Sequence, residues 1–306
     1  MESRFEVHDP AFLRLIPEGT TVERIAGGFT FTEGPVWNGD HLLFSDIPNN
    51  RIVKWRELPE GPEVVTHICP SGWPLDVPTQ VGGKGSNGLT LDRQGRLLAC
   101  EHGNRRVSRY ELDGTRTTLA DNYQGKRLNS PNDVVVRSDG SVFFTDPPYG
   151  MVNLTEGKEL PYQGVYRLET DGTLHLLVDD FERPNGLAFS PDERTLYVDD
   201  SARAHIRAFD CDAAGTLSNG RIFATMEGEG QGVPDGMKVD TEGNVYCTAV
   251  GGIWVHSAAG VLLGKIIFPD QPANCGWGGP DWKTLFVTAR PSVYRLRVEV
   301  AGVAVR

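Results

Sequence analysis

Six segments of this chain share one pattern. They are "EGPVWNGDHLLFSD" from Glu33, "NGLTLDRQGRLLACEH" from Asn87, "NDVVVRSDGSVFFTDP" from Asn132, "NGLAFSPDERTLYVDDS" from Asn185, "DGMKVDTEGNVYCTAV" from Asp235 and "NCGWGGPDWKTLFVTAR" from Asn274. Each opens on a polar residue, runs through a short apolar stretch, turns at Asp and Gly, and runs apolar again. That is a β-hairpin. The segments recur at about 48 residues, a period that marks a β-propeller.

A third apolar stretch follows most hairpins, as in "RIVKWRE" at 51–57 and "GVYRLET" at 164–170. Six units of about four strands predict an all-β fold, a six-bladed β-propeller with four-stranded antiparallel blades around a central channel. Residues 1–306 are expected to form this single domain. Inner strands of stacked blades are buried on both faces, so "DVVV" and "SVFF" need not alternate. "TTVERIA" at 20–26 has no hairpin of its own and is expected to close the ring on the last blade. Two Gly/Pro-rich insertions, 69–85 and 147–163, read as loops of the kind that carry binding function.

The chain is 39% hydrophobic and carries a formal net charge of −11. A negative field argues against nucleic acid and anionic membranes as partners. No apolar run reaches transmembrane length and no signal-peptide pattern opens the chain, so a cytoplasmic location is expected. Five scattered cysteines without a CxxC pair fit reduced, buried thiols.

The polar residues that open the hairpins are Glu33, Asn87, Asn132, Asn185, Asp235 and Asn274. A single Asn-Gly is ordinarily a turn, but six in register predict side chains converging at one end of the channel. Two carboxylates and four amides suit a hard cation such as Ca²⁺, whereas zinc prefers His or Cys. The competing reading is a hydrogen-bonded plug of amides, carboxylates and water. In a hairpin the end of the second strand lies beside the start of the first. Asp46, Glu101, His102, Asp146, Asp200 and Arg290 are therefore expected near the same face. His102 is either a hydrogen-bonded surface histidine or a proton carrier at the site mouth.

The motifs "TEGPVW", "SPNDVVV" with "FFTDPPYG", "PNGLAFSPDERTLYV", "PDGMKVD" with "EGNVY", and "GGPDWKTLFVTAR" together resemble the SMP-30/gluconolactonase/luciferin-regenerating family, over about residues 20–298. The similarity is greatest to its bacterial gluconolactonase branch. The resemblance implies one catalytic divalent metal, commonly calcium, at the channel centre, with zinc, magnesium and manganese as the other candidates. It places ligands at Glu33 in E-G-P, Asn185 in P-N-G and Asp235 in P-D-G. Asn132 in N-D is a ligand or a substrate contact. Asn87 and Asn274 fall outside that ligand pattern.

The resemblance also implies hydrolysis of a small-molecule lactone, an aldonolactone of the D-glucono-1,5-lactone type. Metal at the carbonyl oxygen would stabilise the oxyanion formed by attacking water. Asp235 is the first candidate for proton acceptor and His102 the second. Asn132, Glu101, Asp146, Asn87 and Arg290 are the expected substrate contacts. No G-x-S-x-G elbow is present, and no serine nucleophile is needed. The rivals are a hydrolase of another lactone or a phosphotriester, a carbon–nitrogen bond-forming enzyme resembling strictosidine synthase, and a non-catalytic metal-binding propeller.

Overall fold

The computed structural model describes residues 4–75 and 84–304. All six hairpins form, each an antiparallel pair: Glu23–Asn38 with His41–Asp46, Ser86–Leu91 with Leu97–Glu101, Val134–Val136 with Val142–Asp146, Pro184–Phe189 with Thr195–Asp200, Met237–Val239 with Val245–Ala249, and Asn274–Gly278 with Thr284–Arg297. Each takes further strands outward from the axis, giving a β-propeller with four-stranded antiparallel blades.

The expected count of six separate blades is corrected. Among the described residues the hairpins lie in five sheets of four or more strands. The first and last units are hydrogen-bonded into one six-stranded sheet. The cause is the strand Glu23–Asn38, which serves both units. Its first half pairs with the last unit, Glu23 opposite Arg295 and Arg24 opposite Tyr294, as residues 20–26 were expected to do. Its second half starts the first hairpin. Register shifts between Gly27 and Thr32 and between Glu33 and Val36 let it change partners without a break. Bulges of this kind bend a strand and raise its twist.

The continuous apolar runs serve two cores at once. Phe143 and Phe144 are adjacent and both fully buried. Successive strand side chains point to opposite faces. Phe144 therefore packs with Cys100, Val134 and Tyr166, while Phe143 packs with Leu187, Val198 and Phe209 in the next interface. Burying a ring of this size contributes roughly 1.5–3 kcal/mol.

Close to the axis the inner strands touch through their backbones. Gly88 N–H donates to Asn132 O at 2.8 Å, Gly186 N–H to Asp235 O at 3.0 Å, and Gly236 N–H to Ala273 O at 2.7 Å. Each glycine follows a residue of the polar ring. A Cβ at Gly186 would stand 2.2 Å from Asp235 O and 2.8 Å from the amide nitrogen of Met237. The glycine after Asn185 thus keeps two inner strands within hydrogen-bonding distance. Gly186→Ala should destabilise the fold by about 1–3 kcal/mol, because backbone on both sides must move. Denaturant unfolding checks this; a midpoint equal to that of the parent would refute the close-approach argument.

Candidate functional site

One end of the channel opens into a chamber of about 300 Å³. Glu33, Asn87, Asn132, Asn185, Asp235 and His102 all line it. Five of the six ring residues therefore converge. The sixth, Asn274, stands behind Glu33, its amide donating to Glu33 Oε2 at 2.9 Å while its oxygen accepts the Cys275 N–H.

Three ring amides form a directed chain. Asn87 Nδ2 donates to Asn132 Oδ1 at 2.7 Å, and Asn132 Nδ2 donates to Asn185 Oδ1. Asn185 Nδ2 donates to Ser201 Oγ at 3.0 Å, and Ser201 donates to Pro234 O at 2.5 Å. His102 Nε2 lies 3.2 Å from both Asn87 Nδ2 and Asn132 Oδ1. Burial pushes the imidazole down to about 4, so His102 is neutral at pH 7.

The acids behave in the opposite sense. Burial first, and repulsion from Asp133 second, raise Glu33 to about 7. Burial and then the charges of Glu33 and Asp133 push Asp235 well above the ordinary carboxylate range. Asp133 itself is raised by burial, although Lys238 Nζ lies 3.7 Å from its Oδ2. Such a concentration of buried acids is relieved by a cation. The residues present fit a hard divalent ion: two carboxylates and the side-chain amides of Asn132 and Asn185 line one space, with no thiolate in it. Among the described residues no cluster of three or more His, Cys, Asp and Glu side chains forms a metal site, so the amides are essential to that fit.

Two expected contacts, Glu101 and Asp146, do not line the chamber. Glu101 is fully buried away from the chamber, where it accepts from Asn104, Arg106, Ser108 and Arg116. Asp146 is also fully buried, its Oδ2 accepting the Asn129 N–H at 2.8 Å. Arg290 is exposed beside the chamber, with its guanidinium 5.4 Å from the ring of Phe31.

Other lining residues have no signal in the repeat. Phe31, Ile47, Pro48 and Val233 make an apolar wall, and Tyr149 reaches in from the 147–163 insertion. Ser130 places that loop: its Oγ donates to Pro147 O at 2.6 Å and accepts from Gly150 N at 2.9 Å. The Tyr149 phenol is hydrogen-bonded to Ser201, and burial keeps it neutral. Asp199 was also missed. It lies opposite the Asn185–Gly186 bulge of its hairpin, at the position where four other units have Ser45, Thr145, Thr248 and Thr288, and its Oδ1 has no hydrogen-bond partner. Residues 76–83 of the 69–85 insertion lie outside the described residues. A second cavity of about 100 Å³ at the far end of the inner strands is lined by Val135, Phe189, Trp277 and Lys238, and offers no comparable oxygen set.

Asp146 carries a pH signature. Burial raises it to about 7, opposed by the N–H groups of Asn129 and Ser130 and by Arg105 and Lys158. Its folded value lies above its unfolded one. Its stabilising contribution is therefore complete at low pH and is lost as pH rises from about 4 to about 7, at up to about 1.4 kcal/mol per pH unit. Asp146→Asn mimics the protonated form, so its stability should fall less over that window. Urea titrations at pH 4 to 8 measure this; parallel curves would refute the assignment.

A model of the SMP-30/Gluconolactonase/LRE-like region matches residues 31–290. The gluconolactonase of Zymomonas mobilis is 39% identical over 308 residues, covering 96% of this chain and 85% of that protein. Pentonolactonase XacC of Haloferax volcanii is 33% identical, covering 84% of this chain and 80% of its own. The solved structure of XC5397 from Xanthomonas campestris, described as a gluconolactonase, superposes with a TM-score of 0.83 at 33% identity, covering 97% of this chain and 95% of that one. With the fold, the ring and these relatives in agreement, the chain belongs to the SMP-30/gluconolactonase/LRE-like family.

Proposed function

We propose that this protein hydrolyses small neutral lactones of the gluconolactone type with the help of one divalent metal, calcium first. The observation that carries the reading is the convergence of Glu33, Asn132, Asn185 and Asp235 on one 300 Å³ chamber, with His102 and Tyr149 beside them. The lactonases among the relatives support the substrate class.

Glu33, Asn132, Asn185 and Asp235 would hold the ion, and when bound it supplies electrophilic stabilisation of the developing oxyanion. The remaining chemistry falls to the chain. Asp235 accepts the proton of the attacking water, whose oxygen bonds to the carbonyl carbon. The ring carbon–oxygen bond then breaks, and the leaving alkoxide takes that proton. His102, neutral and tied to Asn87 and Asn132, orients substrate rather than shuttling protons. Tyr149 offers a neutral hydroxyl to the substrate. The Phe31, Ile47, Pro48 and Val233 wall favours a lactone with one sparsely hydroxylated face, which keeps less polar lactones in view as a second reading. Residues 1–306 act as one domain. Five free cysteines support a reducing, cytoplasmic setting, and among the described residues no helix is long and apolar enough to cross a membrane.

Stripping the protein with EDTA should lower turnover of D-glucono-1,5-lactone by about 100-fold or more, and Ca²⁺ should restore it. Full activity after complete metal removal would overturn the metal-assisted reading. A panel including unhydroxylated lactones decides between the two substrate readings.

His102→Gln should raise KM by about 10-fold with kcat changed by less than about 3-fold, since a positioning contact acts on binding more than on turnover. A loss of kcat at constant KM would instead make His102 part of the chemistry.

A further inference from the structure

The carboxylates that end the second hairpin strands repeat a single contact. Asp46 Oδ1 accepts the N–H groups of Thr30 at 3.1 Å and Phe31 at 3.3 Å. Asp146 accepts those of Asn129, at 2.8 Å, and Ser130. Asp200 accepts those of Glu182 at 2.8 Å and Arg183 at 3.0 Å. In every case the donors lie three and two residues ahead of a ring residue: Glu33, Asn132 and Asn185.

Among the described residues the other units lack this clip. Ala249 and Ala289 occupy the position in the fifth and sixth units. In the second unit Glu101 bonds outward to side chains, and the entry to Asn87 is held instead by Gly85 N–H on Ile47 O and Ser86 N–H on Ser71 Oγ, each at 3.0 Å. The clip therefore occurs in three of six units, and those three carry three of the four residues placed around the cation.

We infer that Asp46, Asp146 and Asp200 are positioning residues that fix the strand entries of Glu33, Asn132 and Asn185 and so preorganise the cation site. The inference rests on the proposed divalent-metal reading. Its physical basis is that a side chain's aim is set by the backbone two or three residues upstream, and an entry held by two N–H bonds to a buried carboxylate cannot swing. Partners outside the ligand shell commonly change metal affinity by about 10–100-fold.

Asn substitution breaks the clip selectively. All donors around Asp46 point at it: Thr30 and Phe31 on Oδ1, and Asn49 and Arg51 on Oδ2. Asp200 is likewise surrounded, with Arg183, Ala202 and Arg203 N–H groups on Oδ1 and Glu182 on Oδ2. An amide must turn its NH₂ against one set of donors. Asn49→Ala is a milder variant that should fold normally. Asn49 is exposed, and its amide bridges Asp46 Oδ2 and Thr30 Oγ1.

The test is calcium affinity by isothermal titration well below the unfolding temperature, with unfolding followed separately by circular dichroism. Asp46→Asn and Asp200→Asn should weaken Ca²⁺ binding by about 10-fold or more, and Asn49→Ala by about 3-fold. Glu101→Gln alters a carboxylate in the same register that holds no ligand entry. It should lower stability and leave Ca²⁺ affinity within about 2-fold of the parent. Unchanged affinity in the Asp46, Asp200 and Asn49 variants, or equal loss in Glu101→Gln, overturns the positioning role while sparing the metal reading. A parent protein that takes up no divalent cation overturns both.

Discussion

The backbone contacts between neighbouring inner strands support everything else at the channel. Gly88, Gly186 and Gly236 each place an N–H against a carbonyl of the next unit. These bonds set the channel's width, so side chains one residue earlier have nowhere to point but inward. Ser45, Thr145 and Thr248 reinforce the contact by donating their hydroxyls to the carbonyls of Asn87, Asn185 and Ala273. A propeller that is narrow at its axis therefore brings together polar residues far apart in the chain.

That convergence has an electrostatic consequence. Glu33, Asp133, Asp199 and Asp235 are held in a space with little water, and each is driven towards its neutral form. Lys238 offsets part of the charge from below. The amides of Asn87, Asn132 and Asn185 cannot neutralise it, and they satisfy one another in a chain instead. A bound cation would offset the desolvation cost of the acids and align them, which is why acids costly to fold around are useful for chemistry. His102 and Tyr149 are kept neutral by the same burial and serve as hydrogen-bonding groups.

Legibility from sequence followed register. The six hairpins, the ring residues and the ring-closing segment were readable because a repeat states the same geometry six times. Residues whose meaning depends on a neighbouring unit were not. Tyr149 lies in an insertion that no other unit shares, and Ser130 decides where it points. Asp199 stands where four other units have Ser or Thr. Glu101 and Asp146 share the register of the site but are buried against other partners and do not line the chamber.

Sequence by itself determined the all-β propeller, its antiparallel hairpins and the set of side chains offered to the channel, because period and strand alternation are local properties. Tertiary structure alone decided that the first and last units merge through Glu23–Asn38, since that depends on which edges meet when the ring closes. It alone separated Asn274 from the chamber, placing it behind Glu33, and turned Asp46, Asp146 and Asp200 from expected neighbours of the site into clips on its backbone. The physical reason is common to these cases. A residue's position along a strand is set by its own segment, whereas what its side chain faces is set by elements arriving from elsewhere in the chain.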